Sequence, residues 1–132
     1  MDTIITYGTY DLFHYGHMRL LKRARALGGR LYVGLSTDEF NTLKGKNAFM
    51  SYREREELLL SCRFVDHVFP ENTWEQKAQD IVKYDASVLV MGDDWKGKFD
   101  MFSKYCRVEY LTRTPAISST LLRDNLGQYK AA

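Results

Sequence analysis

Short continuous apolar runs alternate along this chain with longer stretches in which apolar residues fall on one helical face, and that alternation predicts most of the fold. Thr3 to Thr6 reads as a buried strand. Behind it Leu20, Leu21, Ala24 and Leu27 mark a helix that Gly28-Gly29 stops. Leu31 to Leu35 is a second strand, and Asn41 to Asn47 is a polar, glycine-bearing segment without apolar period, expected to be a mobile loop. Ser51 and Glu54 have the spacing of a capping box, which predicts a helix from Tyr52 to Cys62. A strand over Val65 to Phe69 should end at Pro70. A helix over Trp74 to Tyr84, strands over Val88 to Met91 and Arg107 to Leu111, and a short helix over Ser119 to Leu126 complete the pattern. Apolar strands separated by helices imply an α/β fold: a single-domain, doubly wound parallel sheet over residues 1–132, with ligands beyond the carboxyl ends of its strands.

On that layout the polar segments become positions. Thr9 to His17 follows the first strand, Lys44 to Lys46 the second, Gly92 to Trp95 the fourth, and Arg113-Thr114 the fifth. All four fall at one edge of the sheet, so they are expected to line one crevice.

Composition narrows the choice of ligand. Nineteen Lys and Arg against seventeen Asp and Glu leave a net charge of +2, too small an excess for a dedicated nucleic-acid binder. Cys62 and Cys106 form no Cys-x-x-Cys pair, a usage that suits a reducing compartment and predicts a cytoplasmic protein. No apolar run approaches the roughly 18 residues of a membrane span, and the N-terminus lacks the layout of a signal peptide. No membrane association is expected.

His14 and His17, three apart beside Gly16, sit where a strand feeds a helix. Unpaired N–H groups and the positive end of the helix dipole favour anions there. Each imidazole can donate a hydrogen bond to a polyphosphate oxygen and, when protonated, offset charge on a leaving pyrophosphate; Thr9 adds a hydroxyl. Asp11, His14 and His17 also have the spacing of a metal trio, a reading that ranks lower because no further Cys or His stands at suitable spacing. Lys44 and Lys46 flank Gly45 and can close over an anion. Arg55 and Arg63, eight apart, return to one helical face, although pairing with Glu54, Glu56 or Glu57 is an ordinary alternative for Arg55. Trp74 and Lys77 can pair an apolar wall with a charge. Asp93 and Asp94 can hold a ribose hydroxyl or Mg²⁺. Arg113, Thr114, Ser118, Ser119 and Thr120 place a guanidinium and hydroxyls before a second helix.

His14-Tyr15-Gly16-His17 after the first strand resembles the signature of the HxGH nucleotidyltransferase superfamily, whose Rossmann-like fold matches the predicted sheet. With Tyr7 to Leu12, Ser51 to Arg55, Trp74 to Lys77, Met91 to Trp95 and Arg113-Thr114, nearly the whole chain resembles the glycerol-3-phosphate cytidylyltransferase family within it. The resemblance implies transfer of CMP from CTP to sn-glycerol 3-phosphate in a homodimer, with Mg²⁺ as cofactor and the product used for a wall teichoic acid or capsule. It implies that Thr9, Tyr10, His14, His17, Lys46, Arg113, Thr114, Ile117 and Ser118 hold CTP, with Arg63, Asp94, Ser119 and Thr120 beside them. His14, His17, Lys46 and Arg113 would carry the catalysis. Lys44 and Lys77 would grip the acceptor, aided by Arg55 and Trp74, and no protein side chain is assigned as a metal ligand. Pro115-Ala116 departs from the family pattern, which has a glycine-containing pair there. An adenylyltransferase, or a module that binds a nucleotide without turning it over, are the competing readings.

Overall fold

Alternate residues along the strands feed two separate cores. In a computed structural model, which describes residues 1–115 and 118–125, strands β1 (Thr3–Gly8), β2 (Arg30–Ser36), β3 (His67–Glu71), β4 (Ala86–Gly92) and β5 (Arg107–Leu111) form one parallel sheet in the order β3-β2-β1-β4-β5. Ile4, Leu31, Val33, Leu35, Val88 and Val90 point to one face. There they meet Leu21 and Ala24 of helix α1 (Tyr15–Arg25) and Leu59 of α3 (Tyr52–Leu60). Ile5, Tyr7, Leu89 and Met91 point to the other, against Ile81 of α4 (Lys77–Lys83) and Phe99. This two-sided burial is the physical reason that the strands read as unbroken apolar runs.

The expected elements are present, with informative differences. β5 has the predicted bounds, and Ser51 and Glu54 form the reciprocal cap that starts α3. The segment expected to be a polar loop is half helical: α2 (Asp38–Leu43), capped by Thr37, runs into it. Its anchor Phe40 lies just before the polar window, and Asn41, buried, accepts hydrogen bonds from Thr9 Oγ1 at 3.0 Å and Ser36 Oγ at 2.8 Å. Pro70 does not stop β3; it lies within it, because β3 is an edge strand where a missing N–H can face away from the sheet. α4 begins at Lys77, so Trp74 sits in the connection before the helix rather than on it. Two 3-10 turns, Asp93–Trp95 and Asp100–Lys104, were not foreseen. The last helix, α5, covers Ser119–Asn125; Leu126 lies outside the described residues.

Candidate active site at the carboxyl edge of the sheet

The chain leaves β1 through a strained turn. Tyr10 and Leu12 have φ of +51° and +50°, the left-handed region that side chains rarely adopt. Gly8 permits the fold-back, since a Cβ there would lie 2.7 Å from the Tyr10 ring. The turn delivers His14 to the N-cap of α1, where its Nδ1 accepts from the backbone N–H of Gly16 at 3.0 Å and of His17 at 3.4 Å. His17 Nδ1 accepts in return from the N–H of His14 at 3.3 Å. Two imidazoles thus form a capping box of the kind usually built from Ser/Thr and Glu/Gln. The rings stack with centroids 3.7 Å apart.

This cap decides which nitrogen carries the proton. With both Nδ1 atoms occupied as acceptors, a neutral imidazole holds its hydrogen on Nε2. Both Nε2–H groups are therefore turned away from the cap. His14 Nε2 is buried without a hydrogen-bond partner among the described residues, and His17 Nε2 faces Ser119 Oγ at 3.5 Å. Burial lowers the pKa of both rings; for His17, with help from the adjoining His14 and against the pull of Asp11, it falls to about 3. Both rings are thus pushed toward the neutral form, in which they keep the hydrogen-bonding role expected of them rather than the charge.

A cavity of about 630 Å³ opens over these donors. It is lined by Thr9, Tyr10, His14, His17, Lys44, Lys46, Trp74, Lys77, Asp94, Arg113, Thr114, Ser118, Ser119 and Thr120, so the four segments expected to converge do so. Not all of them offer free polar groups. Thr9 spends its hydroxyl on Asn41, and Tyr10 is the buried wall behind His17, ring centroids 5.2 Å apart, with burial pushing its phenol up to about 12. Ser118 Oγ accepts from the N–H of Leu121, and Ser119 Oγ donates to the Asp11 carbonyl. Asp94 and Arg113 pair at 2.9 Å on the exposed rim.

Two expected arginines lie elsewhere. Arg55 does not line the cavity; it is fully buried, turned inward and away from the glutamates of its own helix. It donates to the carbonyls of Thr9, Ser36 and Met50 at 2.8–3.1 Å and to the Asp38 carboxylate at 2.7 Å, tying the β1–α1 turn to the loop that carries Lys44 and Lys46. Arg63 is exposed, its guanidinium 5.9 Å from the Phe64 ring. α3 ends at Leu60, so the helical face that would bring Arg63 back beside Arg55 does not reach it, and Arg63 lies in the turn that follows the helix. Ile117 lies outside the described residues.

Asp11 is no metal ligand here. Its buried carboxylate accepts from the N–H of Phe49 at 2.7 Å and of Met50 at 3.0 Å, and pairs with Arg123 at 3.1 Å. It joins the 46–50 loop and α5 to the histidine turn. Sequence reasoning missed Arg123, Asn41 and Glu71. The only signal for them was a polar residue bordering an apolar run, which turns share with sites.

Under Trp74 the cavity has a different character. Lys77 is buried and bonds to the buried carboxylate of Glu71 at 2.6 Å, its ammonium 4.5 Å from the Tyr7 ring centroid and 5.2 Å from those of Trp74 and Phe99. Lys44 lies 4.5 Å from Phe40 and 5.6 Å from Trp74. Burial lowers its pKa to about 8, the attraction of Glu71 working against the desolvation and the neighbouring cations adding to it.

A family model described as cytidylyltransferase-like matches residues 5–125. The chain is 54% identical over 126 residues to a glycerol-3-phosphate cytidylyltransferase from Bacillus spizizenii, covering 96% of this chain and 98% of the relative. It is 52% identical to one from Staphylococcus aureus, covering 96% of each. Among solved structures it resembles a lipopolysaccharide core biosynthesis protein from Thermoplasma volcanium, with a TM-score of 0.77 at 20% identity over 86% of this chain and 98% of that one.

Proposed function

Because the chain belongs to the cytidylyltransferase-like family, we infer that it transfers CMP from CTP to glycerol 3-phosphate, giving CDP-glycerol and pyrophosphate. The single observation that carries this reading is the stacked His14/His17 pair at the start of α1 lining a cavity whose other end holds two lysines under an aromatic wall. A phosphate monoester already bears an anionic oxygen, so attack on the α-phosphorus of CTP needs no general base. Catalysis rests on alignment and on stabilising the oxygens as pyrophosphate leaves. His14 and His17 donate to those oxygens, preorganised by their backbone bonds, while Lys46 and Arg113 supply formal charge from the rim. Lys44 meets the acceptor phosphate.

Mg²⁺ fits this arrangement in one manner. Among the described residues no three His, Cys, Asp or Glu side chains gather as a ligand set, whereas Asp94 presents a carboxylate at the rim beside the phosphate end. Mg²⁺ is commonly held by one or two carboxylates plus substrate phosphates; Asp94 would hold it here, and the ion would neutralise triphosphate charge. The resemblance to the family supports a homodimer, and exposed Leu43, Phe49 and Met101 are apolar side chains available for a partner copy to cover. Two unpaired cysteines and the use of CTP support a cytoplasmic location, and no helix among the described residues is long and apolar enough to cross a membrane. The product would supply a glycerol-phosphate polymer such as a wall teichoic acid or capsule.

Incubation with CTP, Mg²⁺ and glycerol 3-phosphate should release pyrophosphate. Turnover with ethanolamine phosphate or a sugar phosphate in its place would overturn the acceptor, and a preference for ATP would overturn the nucleotide.

A further inference from the structure

One buried charged group of the cavity has no part in the reaction as described. Glu71 is the last residue of β3, held by its register with Ser36 and by its carbonyl, which accepts from the N–H of Thr37 at 3.1 Å. That placement sets its carboxylate in the cavity lining at the Trp74 end. Oε2 is committed to Lys77, and Oε1 makes no hydrogen bond to any described residue. Oε1 is not among the buried polar atoms left without a partner; it lies open to the cavity, where it can accept a hydrogen bond from a ligand.

The chemistry of that ligand follows from the surrounding charges. Lys77 and Glu71 cancel in net charge, which leaves Lys44 as the cation at this end free to meet a phosphate. An acceptor's phosphate would be repelled by the Glu71 carboxylate and must in any case face the α-phosphorus of CTP, toward the histidines. An ammonium-bearing tail would meet the buried cation Lys77. A neutral hydroxylated tail suits both: its O–H donates to the carboxylate while its carbons lie against Tyr7, Trp74 and Phe99.

Building on the reaction inferred above, we propose that Glu71 contacts the acceptor and determines its specificity, Oε2 pinning Lys77 in the aromatic box and Oε1 accepting a hydroxyl hydrogen from the glycerol moiety. Neutral polyol phosphates are thereby selected over alkyl and aminoalkyl phosphates.

The test compares kcat/KM for glycerol 3-phosphate and for propyl phosphate, which lacks both hydroxyls, in the full-length wild type and in Glu71→Gln. The wild type should favour the hydroxylated acceptor by at least about tenfold, and Glu71→Gln should shrink that ratio severalfold, since a hydrogen bond to a charged acceptor is roughly twice as strong as one to a neutral group. Because removing one member of a buried pair endangers folding, the ratio is also measured in Glu71→Leu/Lys77→Met, which removes both charges at similar volume. There it should approach one. An unchanged ratio in the folded variants, with both acceptors slowed alike, overturns the proposal and leaves Glu71 as a structural partner of Lys77. Wild-type failure to use either acceptor with CTP is a separate result, which overturns the reaction itself.

Discussion

At the end of the cavity where α1 begins, the lining offers two imidazoles fixed by the backbone; at the end under Trp74 it offers formal charges held against aromatic faces. The difference follows from what each end must do. Charge on the triphosphate redistributes during reaction, and a fixed dipole that needs no reorganisation stabilises the late charge better than a mobile side chain would. The acceptor brings a charge that does not leave. There, selection against wrong tails matters more, and a buried ion pair imposes it by its desolvation cost.

The comparison breaks outright if the brace common to both ends is removed. Arg55→Met leaves the Thr9, Ser36 and Met50 carbonyls without their donor and should lower unfolding free energy by about 3 kcal/mol; urea denaturation at wild-type stability would show that the guanidinium braces nothing. His17→Ala tests the histidine end alone. It removes one Nε2–H donor and half of the cap, and should cut kcat by at least about 10²-fold; full turnover would remove His17 from the mechanism.

Acidity separates the ends more gently. The pKa of His17 is about 3 in the folded protein and near 6.5 when unfolded, so the unfolded state binds the extra proton between those values. Stability therefore rises with pH across that window and falls on acidification, by up to about 1.4 kcal/mol per unit. Melts of wild type and His17→Asn from pH 4 to 7 should diverge as pH falls, and parallel curves would refute the neutral-cap assignment. At the lysine end the readout is activity rather than stability. The Lys44 ammonium is present below about 8 and lost above it, so kcat/KM for the acceptor should decline through that pH, about tenfold per unit well above it, and Lys44→Arg should flatten the limb. The smallest effect belongs to the rim. Arg113 and Asp94 are both about three-fifths exposed, a setting in which an ion pair is worth under about 1 kcal/mol. Arg113→Ala should thus leave the melting temperature within a degree or two while raising KM for CTP; a large drop in melting temperature would mean that the rim is structural.

How much of this could be read from the sequence depended on whether a residue's role is local. The Ser51/Glu54 cap and the strand–turn–helix setting of His14 and His17 involve neighbours three apart in the chain, and both stood in the sequence. The convergence of four segments was legible because parallel strands put their carboxyl ends on one edge. Arg55, Asp11 and Glu71 could not be read that way: their partners, such as Thr9, Phe49 and Ser36 across the sheet, are fixed only by the tertiary fold. Helical periodicity misled for Arg63, since α3 stops at Leu60 and the repeat that pairs it with Arg55 has no helix to run on.

Pro70 carries a consequence outside catalysis. The outer edge of β3 is where another chain would most readily add a strand, and proline denies that edge one of its donors. A crowded solution of this enzyme should therefore resist fibrous association through that side of the sheet, and copies that do associate must meet through the β5 edge, helices or loops instead.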